Sequence, residues 1–335
     1  MKKLNDQRLQ VGDIILTSGP NKVSKAVRRA TGSDISHAMI YVQHSSIIDA
    51  TADGVHSSNI QRMFFEEGSA VYVLRSKLPL GEETIRKITD FARAATGTEY
   101  SKSEAVAVLA KRMRRAGSRK QFCSRLAAQA YAAGGVSLVP EPDYCSPEDL
   151  RRSERLMEVE DVLLPASDEE IALWGSRTNV LKMMADATNA VLKTARRRSD
   201  QIHNLNDINS YLLAHPEDDQ RILRAYEKSG YLTLWQVEYA KSRWQYDLDS
   251  MRHLANVSPN GKTEMEEYCR QLLSDSEGGL RFEINHREYG KLALVTKLST
   301  FQALAKLYQL LAALHHQRVE TARNWLAEAN NGVAS

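Results

Sequence analysis

Cys123 opens the stretch Gln121-Phe122-Cys123-Ser124-Arg125-Leu126-Ala127-Ala128-Gln129-Ala130-Tyr131. Leu126, Ala127, Ala130 and Tyr131 recur there at helical spacing, and Gly134-Gly135 is a stop signal. A thiol in the first turn of a helix faces unpaired backbone N–H groups and the positive end of the dipole. Both favour the thiolate, the nucleophilic form. The bland alternative is a small core cysteine, so a chemical role requires a base. Upstream, His37 starts an apolar strand, Asp34-Ile35-Ser36-His37-Ala38-Met39-Ile40-Tyr41-Val42, and alone it reads as a satisfied or surface histidine. After the turn Gln43-His44-Ser45-Ser46 the chain returns through Ile47-Ile48-Asp49-Ala50-Thr51, which carries a carboxylate. Side chains alternate faces along a strand, so His37, Met39 and Tyr41 share one face and Ile47, Asp49 and Thr51 share one. The two sets coincide only if the hairpin loop has an odd number of residues. With a two-residue loop Asp49 points away from His37.

Other polar residues draw blander readings. Asp13, in Val11-Gly12-Asp13-Ile14-Ile15-Leu16-Thr17, caps a turn into a short strand or else orients a site group. His44 belongs to a solvent-exposed turn, His56 is a weaker candidate for any role, and Cys145 lies in a loop of Pro and Asp with no assigned part. Residues 111–120 carry six positive charges just before Cys123. They read as a solvated basic face, or as an anion-attracting rim that helps depress a thiol pKa.

The elements that must position these residues fill less than half of a 335-residue chain, which is long enough for two domains. The content of 42% hydrophobic and 26% charged residues is that of a soluble globular protein. No apolar run reaches the about 18 residues of a membrane span. Met1 to Asp6 shows no secretory h-region, so a cytoplasmic location is expected, with export by a specialised system left open. Three cysteines, Cys123, Cys145 and Cys269, lie far apart without metal-ligand spacing, so neither a disulfide framework nor a metal site is expected. The net charge of +3 is too small to argue for nucleic acid.

Further along, Val55–Phe65 reads as a link, Ala70–Arg75 as a strand, Glu82–Ala95 as an amphipathic helix and Ser103–Met113 as helical. A short helix is expected over Lys22–Ala30. Leu150–Pro165 is linker-like. Beyond it the pattern is helical: 168–200, 205–213, 216–229, 233–256, 263–274 and 289–330. A stripe of Leu292, Val295, Leu298, Phe301, Leu304, Leu307, Leu311 and Leu314 reads as a bundle core or an oligomer seam. The expected domains are 1–152 and 153–335.

Taken together, Gly12–Leu16, Ser36–Val42, Ile47–Ala50, Gly54-Val55, Gly97–Tyr100, Phe122–Ser124 and Ser146–Leu150 make the chain from Val11 to about Leu150 resemble a known group. This is the permuted branch of the NlpC/P60 papain-like superfamily, the YiiX/YebB-type cysteine hydrolases. The resemblance implies an α+β domain with an antiparallel sheet and a buried nucleophile helix, here followed by an all-α domain. It implies Cys123 as nucleophile, His37 as general base and then acid, and Asp49 as the residue that orients the imidazole. Tyr100 and Ser124 are weaker candidates for oxyanion or substrate contacts, and no metal or cofactor is required. Where the YiiX-type pattern has Glu after Cys-Ser, this chain has Arg125.

The implied reaction is cleavage of an amide in a peptide, isopeptide or peptidoglycan stem through an acyl-enzyme. The rival on the same triad is a lipid or thioester acyl hydrolase or acyltransferase, with residues 111–120 meeting an anionic surface. A rival of another class is an inert papain-like module joined to a helical binding or scaffold domain. For the helical half the expected role is substrate or partner recognition, a lid, or homo-oligomerisation, and the sequence does not choose among them.

Overall fold

In the computed structural model the described residues are 1–18, 28–29, 32–101, 120–274 and 278–332. The helix expected over 22–30, apart from Arg28 and Arg29, the helix expected over 103–113, and the basic run apart from Lys120 lie outside them. The chain forms two compact units, 1–208 and 209–335. The boundary expected at 152 falls inside the first unit.

The first unit is built on β1 (Lys2–Leu4), β2 (Ile14–Thr17), β3 (His37–Gln43), β4 (Ser46–Thr51), β5 (Gly54–Asn59), β6 (Phe64–Phe65), β7 (Val71–Ser76), β8 (Leu156–Glu158) and β9 (Leu163–Pro165). Among the described residues these make a six-stranded sheet in the order β5-β4-β3-β2-β7-β8 and a small sheet β6-β1-β9, with every pairing antiparallel. The helices are α1 (Glu82–Ala94), α2 (Cys123–Ala133), α3 (Pro147–Arg151), α4 (Asp168–Ser176) and α5 (Val180–Arg196). Two apolar layers follow from strand alternation. Ile14, Leu16, Ala38, Ile40, Ile48 and Ala50 pack with Ile88 and Ala92 of α1 and with Leu126, Ala127, Ala130 and Tyr131 of α2. Ile15, Met39, Tyr41, Ile47 and Val73 face the other way and meet Leu4 of β1, Leu9 and Val162.

Helix α2 is therefore buried from Cys123 to Tyr131 apart from half-buried Gln129, as its small and apolar residues require, and Ala132 and Ala133 at its end are exposed. Its C-terminal end crosses α1 closely: a Cβ on Gly134 would come within 2.8 Å of Ile88 Cγ1. The Tyr131 hydroxyl donates to the Gly12 carbonyl at 2.6 Å, which ties the same helix to the start of β2. Asp13 is 1% exposed and caps the Gln10 N–H at 2.8 Å. It also pairs with Arg75 of β7 through two bonds, at 2.8 and 2.7 Å.

Several expectations change. The link over Val55–Phe65 contains β5, an edge strand whose His56-Ser57-Ser58-Asn59 lacks the apolar alternation that marks a strand. The linker at 150–165 contributes β8 and β9, short strands with exposed charged neighbours. Helix 168–200 is two helices, α4 and α5, the second started by Asn179, whose side chain accepts from the Lys182 N–H. Residues 136–140 form a loop that buries Leu138 and Val139 in the core.

Helix α6 (Leu205–Ala214) crosses the boundary between the units. The second unit continues with α7 (Asp219–Lys228), α8 (Trp235–Lys241), α9 (Leu248–Val257), α10 (Gly261–Ser274), α11 (Leu280–Thr296) and α12 (Ser299–Gly332). The helix expected over 233–256 breaks between α8 and α9, where Asp247 accepts from the Ser250 N–H and starts a new helix. The long segment 289–330 breaks at Lys297, whose φ of 61° is left-handed and ends α11. The apolar stripe divides with it: Phe301, Leu304 and Leu307 are buried, whereas Val295 is 83% exposed. Met251, Ala255, Met265, Cys269, Leu272 and Ala322 form a second core. Among the described residues no helix is long and apolar enough to cross a membrane.

Candidate active site

The register of the β3–β4 hairpin resolves which way Asp49 faces. Gln43 pairs with Ser46, so the turn is His44-Ser45, the even-length loop that would separate the two faces. Both turn residues have left-handed φ, 46° and 57°, as a two-residue hairpin turn of the primed type needs. The next pairs are Tyr41 with Ile47 and Met39 with Asp49, so one extra residue of β3 bulges out between Tyr41 and Gln43. That bulge shifts the register by one and restores the coincidence of faces. His37 and Asp49 become diagonal neighbours, and His37 Nε2 donates to Asp49 Oδ2 at 2.8 Å.

Cys123 is the first residue of α2, after extended Phe122. Its thiol donates toward the Ser36 carbonyl at 4.0 Å, one residue before His37. The His37 imidazole and the Ala38 and Ser124 backbone N–H groups lie close enough to the sulfur to act on its charge. Since Nε2 faces Asp49, Nδ1 is the ring nitrogen left for the sulfur. Burial by itself raises the Cys123 pKa, but the His37 charge, its hydrogen bond and the two backbone donors lower it overall. Burial likewise pulls the imidazole down. The Cys123 charge and the bonds to Asp49 and Cys123 outweigh it and push His37 up to about 10. Each partner thus favours the charged form of the other, a thiolate–imidazolium pair. Asp49 is 6% exposed, and the His37 side chain keeps 23% of its exposure, so the site stays open on the imidazole side.

The structure accounts for the remaining candidates as well. Tyr100 reaches the site: burial and then the Cys123 charge raise its phenol pKa. Its backbone bridges to Gln121, two residues before Cys123. Ser124 is buried with its hydroxyl donating to the Cys145 carbonyl at 2.7 Å, so its side chain holds the 142–145 loop while its N–H serves the sulfur. Arg125 is 3% exposed and ties Lys120, just before Cys123, to the 142–145 loop. Its guanidinium donates to the carbonyls of Asp143 at 2.8 Å and Lys120 at 2.7 Å and lies 4.5 Å from the Phe122 ring. Cys145 is buried, donates to the Ser124 carbonyl at 3.3 Å and has its pKa raised, first by burial. Lys120 pairs with Glu99 at 2.9 Å.

Sequence reasoning did not single out the Ala38 N–H, a backbone group that no side-chain motif marks. It also ranked His56 low. His56 is 7% exposed on β5, directly paired with Asp49. Among the described residues, no group of three or more His, Cys, Asp and Glu could hold a metal ion.

Residues 8–167 match the family described as permuted papain-like amidase enzymes, YaeF/YiiX, family C92. The first domain is accordingly a papain-like domain of the YiiX type, followed by a helical region, and the match supports a cysteine hydrolase or amidase at the level of the family. The expected fold class holds on both counts. A crystal structure of the metalloprotein YiiX from Escherichia coli O157:H7 is 20% identical to the chain. The match covers 45% of this chain and 97% of that one, with a TM-score of 0.37. No curated protein matches the chain.

Proposed function

We propose that the chain hydrolyses an amide bond through an acyl-enzyme on Cys123, with His37 and Asp49 completing a triad. The single observation that carries this reading is the His37 Nε2–Asp49 Oδ2 hydrogen bond at 2.8 Å, between β3 and β4, with Cys123 at the start of α2 beside the same imidazole. The Cys123 thiolate attacks the carbonyl carbon, and the imidazolium passes its proton to the departing amine as the C–N bond breaks. In the second half His37 takes a proton from water, hydroxide adds to the acyl carbon, and the thiolate leaves. Asp49 holds the ring so that Nδ1 faces the sulfur, and it stabilises the imidazolium formed in each half. The backbone N–H of Cys123, at a helix start, is the first oxyanion donor, and the Tyr100 hydroxyl is the second. The substrate is a peptide, isopeptide or peptidoglycan-stem amide.

Amine release from these three amide classes, with the acyl-enzyme trapped by acid quench and intact-mass spectrometry, tests the reading. Cys123→Ala and His37→Ala should abolish both signals. Asp49→Ala should slow turnover by about 10²-fold, the low end of what an oriented general base contributes. Turnover of phospholipid vesicles with none of any amide would overturn the amide assignment and favour the acyl-lipid reading. Undiminished amide turnover by Cys123→Ala would overturn the nucleophile.

A further inference from the structure

We propose that His56 is a positioning residue for Asp49 and that Asn189, from α5, helps to hold it there. The proposal rests on the triad reading above and adds a residue behind it. Asp49 Oδ2 accepts from His37, whereas Asp49 Oδ1 is buried and has no hydrogen-bond partner. His56 Nδ1 is buried and without a partner in the same way. The two residues are direct register partners on β4 and β5. Their side chains therefore leave the sheet on one face, with Cβ atoms about 5 Å apart.

The other side of the His56 ring fixes its tautomer. Nε2 lies 2.6 Å from the Asp53 carbonyl oxygen, which can only accept, so Nε2 carries a hydrogen. In the neutral ring Nδ1 is then a bare acceptor, opposite the bare acceptor of Asp49. A hydrogen between them satisfies both, carried either by the ring or by a solvent molecule. Either link fixes the second oxygen of Asp49 while the first faces His37. The groups around the ring are Asp49 of β4, the Asp53 carbonyl in the turn and Asn189 of α5, with His37 beyond Asp49. Asn189 Nδ2 donates to the same Asp53 carbonyl at 3.0 Å and lies 3.3 Å from His56 Nε2. Gly54, with φ of +105°, closes the turn on the ring: a Cβ there would come within 2.8 Å of the Thr98 carbonyl oxygen and 3.4 Å of His56 Nε2.

Helix α5 begins at Val180, beyond the last residue of the family match at 167. Part of the support for the catalytic carboxylate thus comes from a segment outside that match. The helix also seats the loop that leads to Tyr100. Leu192 and Thr188 pack over Gly97, and Arg196 donates to the Gly97 carbonyl at 2.7 Å.

The test is the pH dependence of iodoacetamide labelling at Cys123 in the full chain, compared among wild type, His56→Phe, His56→Asn and Asn189→Ala. His56→Phe keeps an aromatic ring but removes Nδ1. Its acid limb should move up by about one pH unit, a roughly tenfold slower labelling at pH 5.5 that converges with wild type above pH 9. His56→Asn puts an amide near the position of Nδ1, and its limb should return to within about twofold of wild type. Asn189→Ala should shift the limb in the same direction as His56→Phe by a smaller amount, which provides a readout if His56→Phe does not fold. A ring that serves only as packing gives the reverse order, with Phe tolerated and Asn impaired; that result would overturn the proposal. Wild type with an acid-shifted limb and variants that coincide with it would also overturn the proposal but leave the triad standing. Wild type that labels like an ordinary thiol would overturn the triad itself and this proposal with it.

Discussion

Replacing Asp13 by alanine should destabilise the first unit by about 4 kcal/mol while leaving the reactivity of Cys123 intact in the molecules that remain folded. Asp13 is 1% exposed, and both of its oxygens are engaged: Oδ1 by Arg75 Nε at 2.8 Å, Oδ2 by Arg75 Nη2 at 2.7 Å and by the Gln10 N–H at 2.8 Å. Removing one partner of a buried pair costs about 3–5 kcal/mol, because the other charge stays behind uncompensated. The Arg75 side chain is 22% exposed and keeps a bond to the Arg8 carbonyl at 2.7 Å, so the low end, about 3 kcal/mol, applies. The orphaned Gln10 N–H adds about 1 kcal/mol. The sum is a large part of the about 5–15 kcal/mol that holds an ordinary domain. Urea unfolding read by hydrogen exchange in peptides covering β2 and β7 reports this unit separately from the helical one. The double variant Asp13→Leu with Arg75→Met should regain most of the loss, since an apolar pair of similar volume replaces an ion pair at little cost. A single-variant loss below about 1 kcal/mol, or a double variant no more stable than the single, would refute the reasoning. Slowed Cys123 labelling in folded Asp13→Ala would place Asp13 in the site after all.

The thiolate–imidazolium pair should leave its own mark on stability against pH. The raised His37 pKa stabilises the fold below the unfolded value of 6.5, and that contribution is lost as pH rises towards about 10; the lowered Cys123 pKa stabilises above the unfolded value of 9.0 and is lost as pH falls through the folded value. From 9.0 to about 10 the native pair holds more protons than the unfolded one, so stability relative to Cys123→Ala should fall, and a flat difference there would contradict the pair. Gly97→Ala should loosen α5, because φ is +88° and the new Cβ would lie 2.4 Å from Leu192 Cδ1; faster hydrogen exchange in residues 187–195 is the expected readout. In the second unit Asp219 accepts from the Ser299 and Thr300 N–H groups at 2.8 and 2.9 Å at the start of α12. Asp219→Ala should cost about 1–2 kcal/mol in denaturant unfolding of that unit.

The strands and helices that carry chemistry were legible because their apolar spacing is strong. The strand beginning at His37, its return through Asp49 and the helix beginning at Cys123 all lie where the pattern puts them. Whether Asp49 turns toward His37 was not legible. It depends on one bulged residue, and nothing in Tyr41-Val42-Gln43 marks an extra residue. Nor was β5, since an edge strand pairs on one side and tolerates the polar run His56–Asn59. With β5 unread, the pairing of His56 with Asp49 stayed hidden. The buried Arg125 is a related case: a charge at the third position of the nucleophile helix reads as solvent-facing, and only the fold shows two backbone carbonyls converging on it. In the helical half the apolar period was clear but the breaks were not, because Lys297 adopts a left-handed conformation that lysine rarely signals.

The most direct test of the central claim is the rate of iodoacetamide labelling at Cys123 from pH 4 to 10, in wild type and His37→Ala. A His37-paired thiolate labels rapidly in mild acid, well below the ordinary thiol pKa of about 8.5, and loses that reactivity in the variant. Labelling that follows an ordinary thiol in both proteins would contradict the pairing of Cys123 with His37 and the catalytic reading built on it.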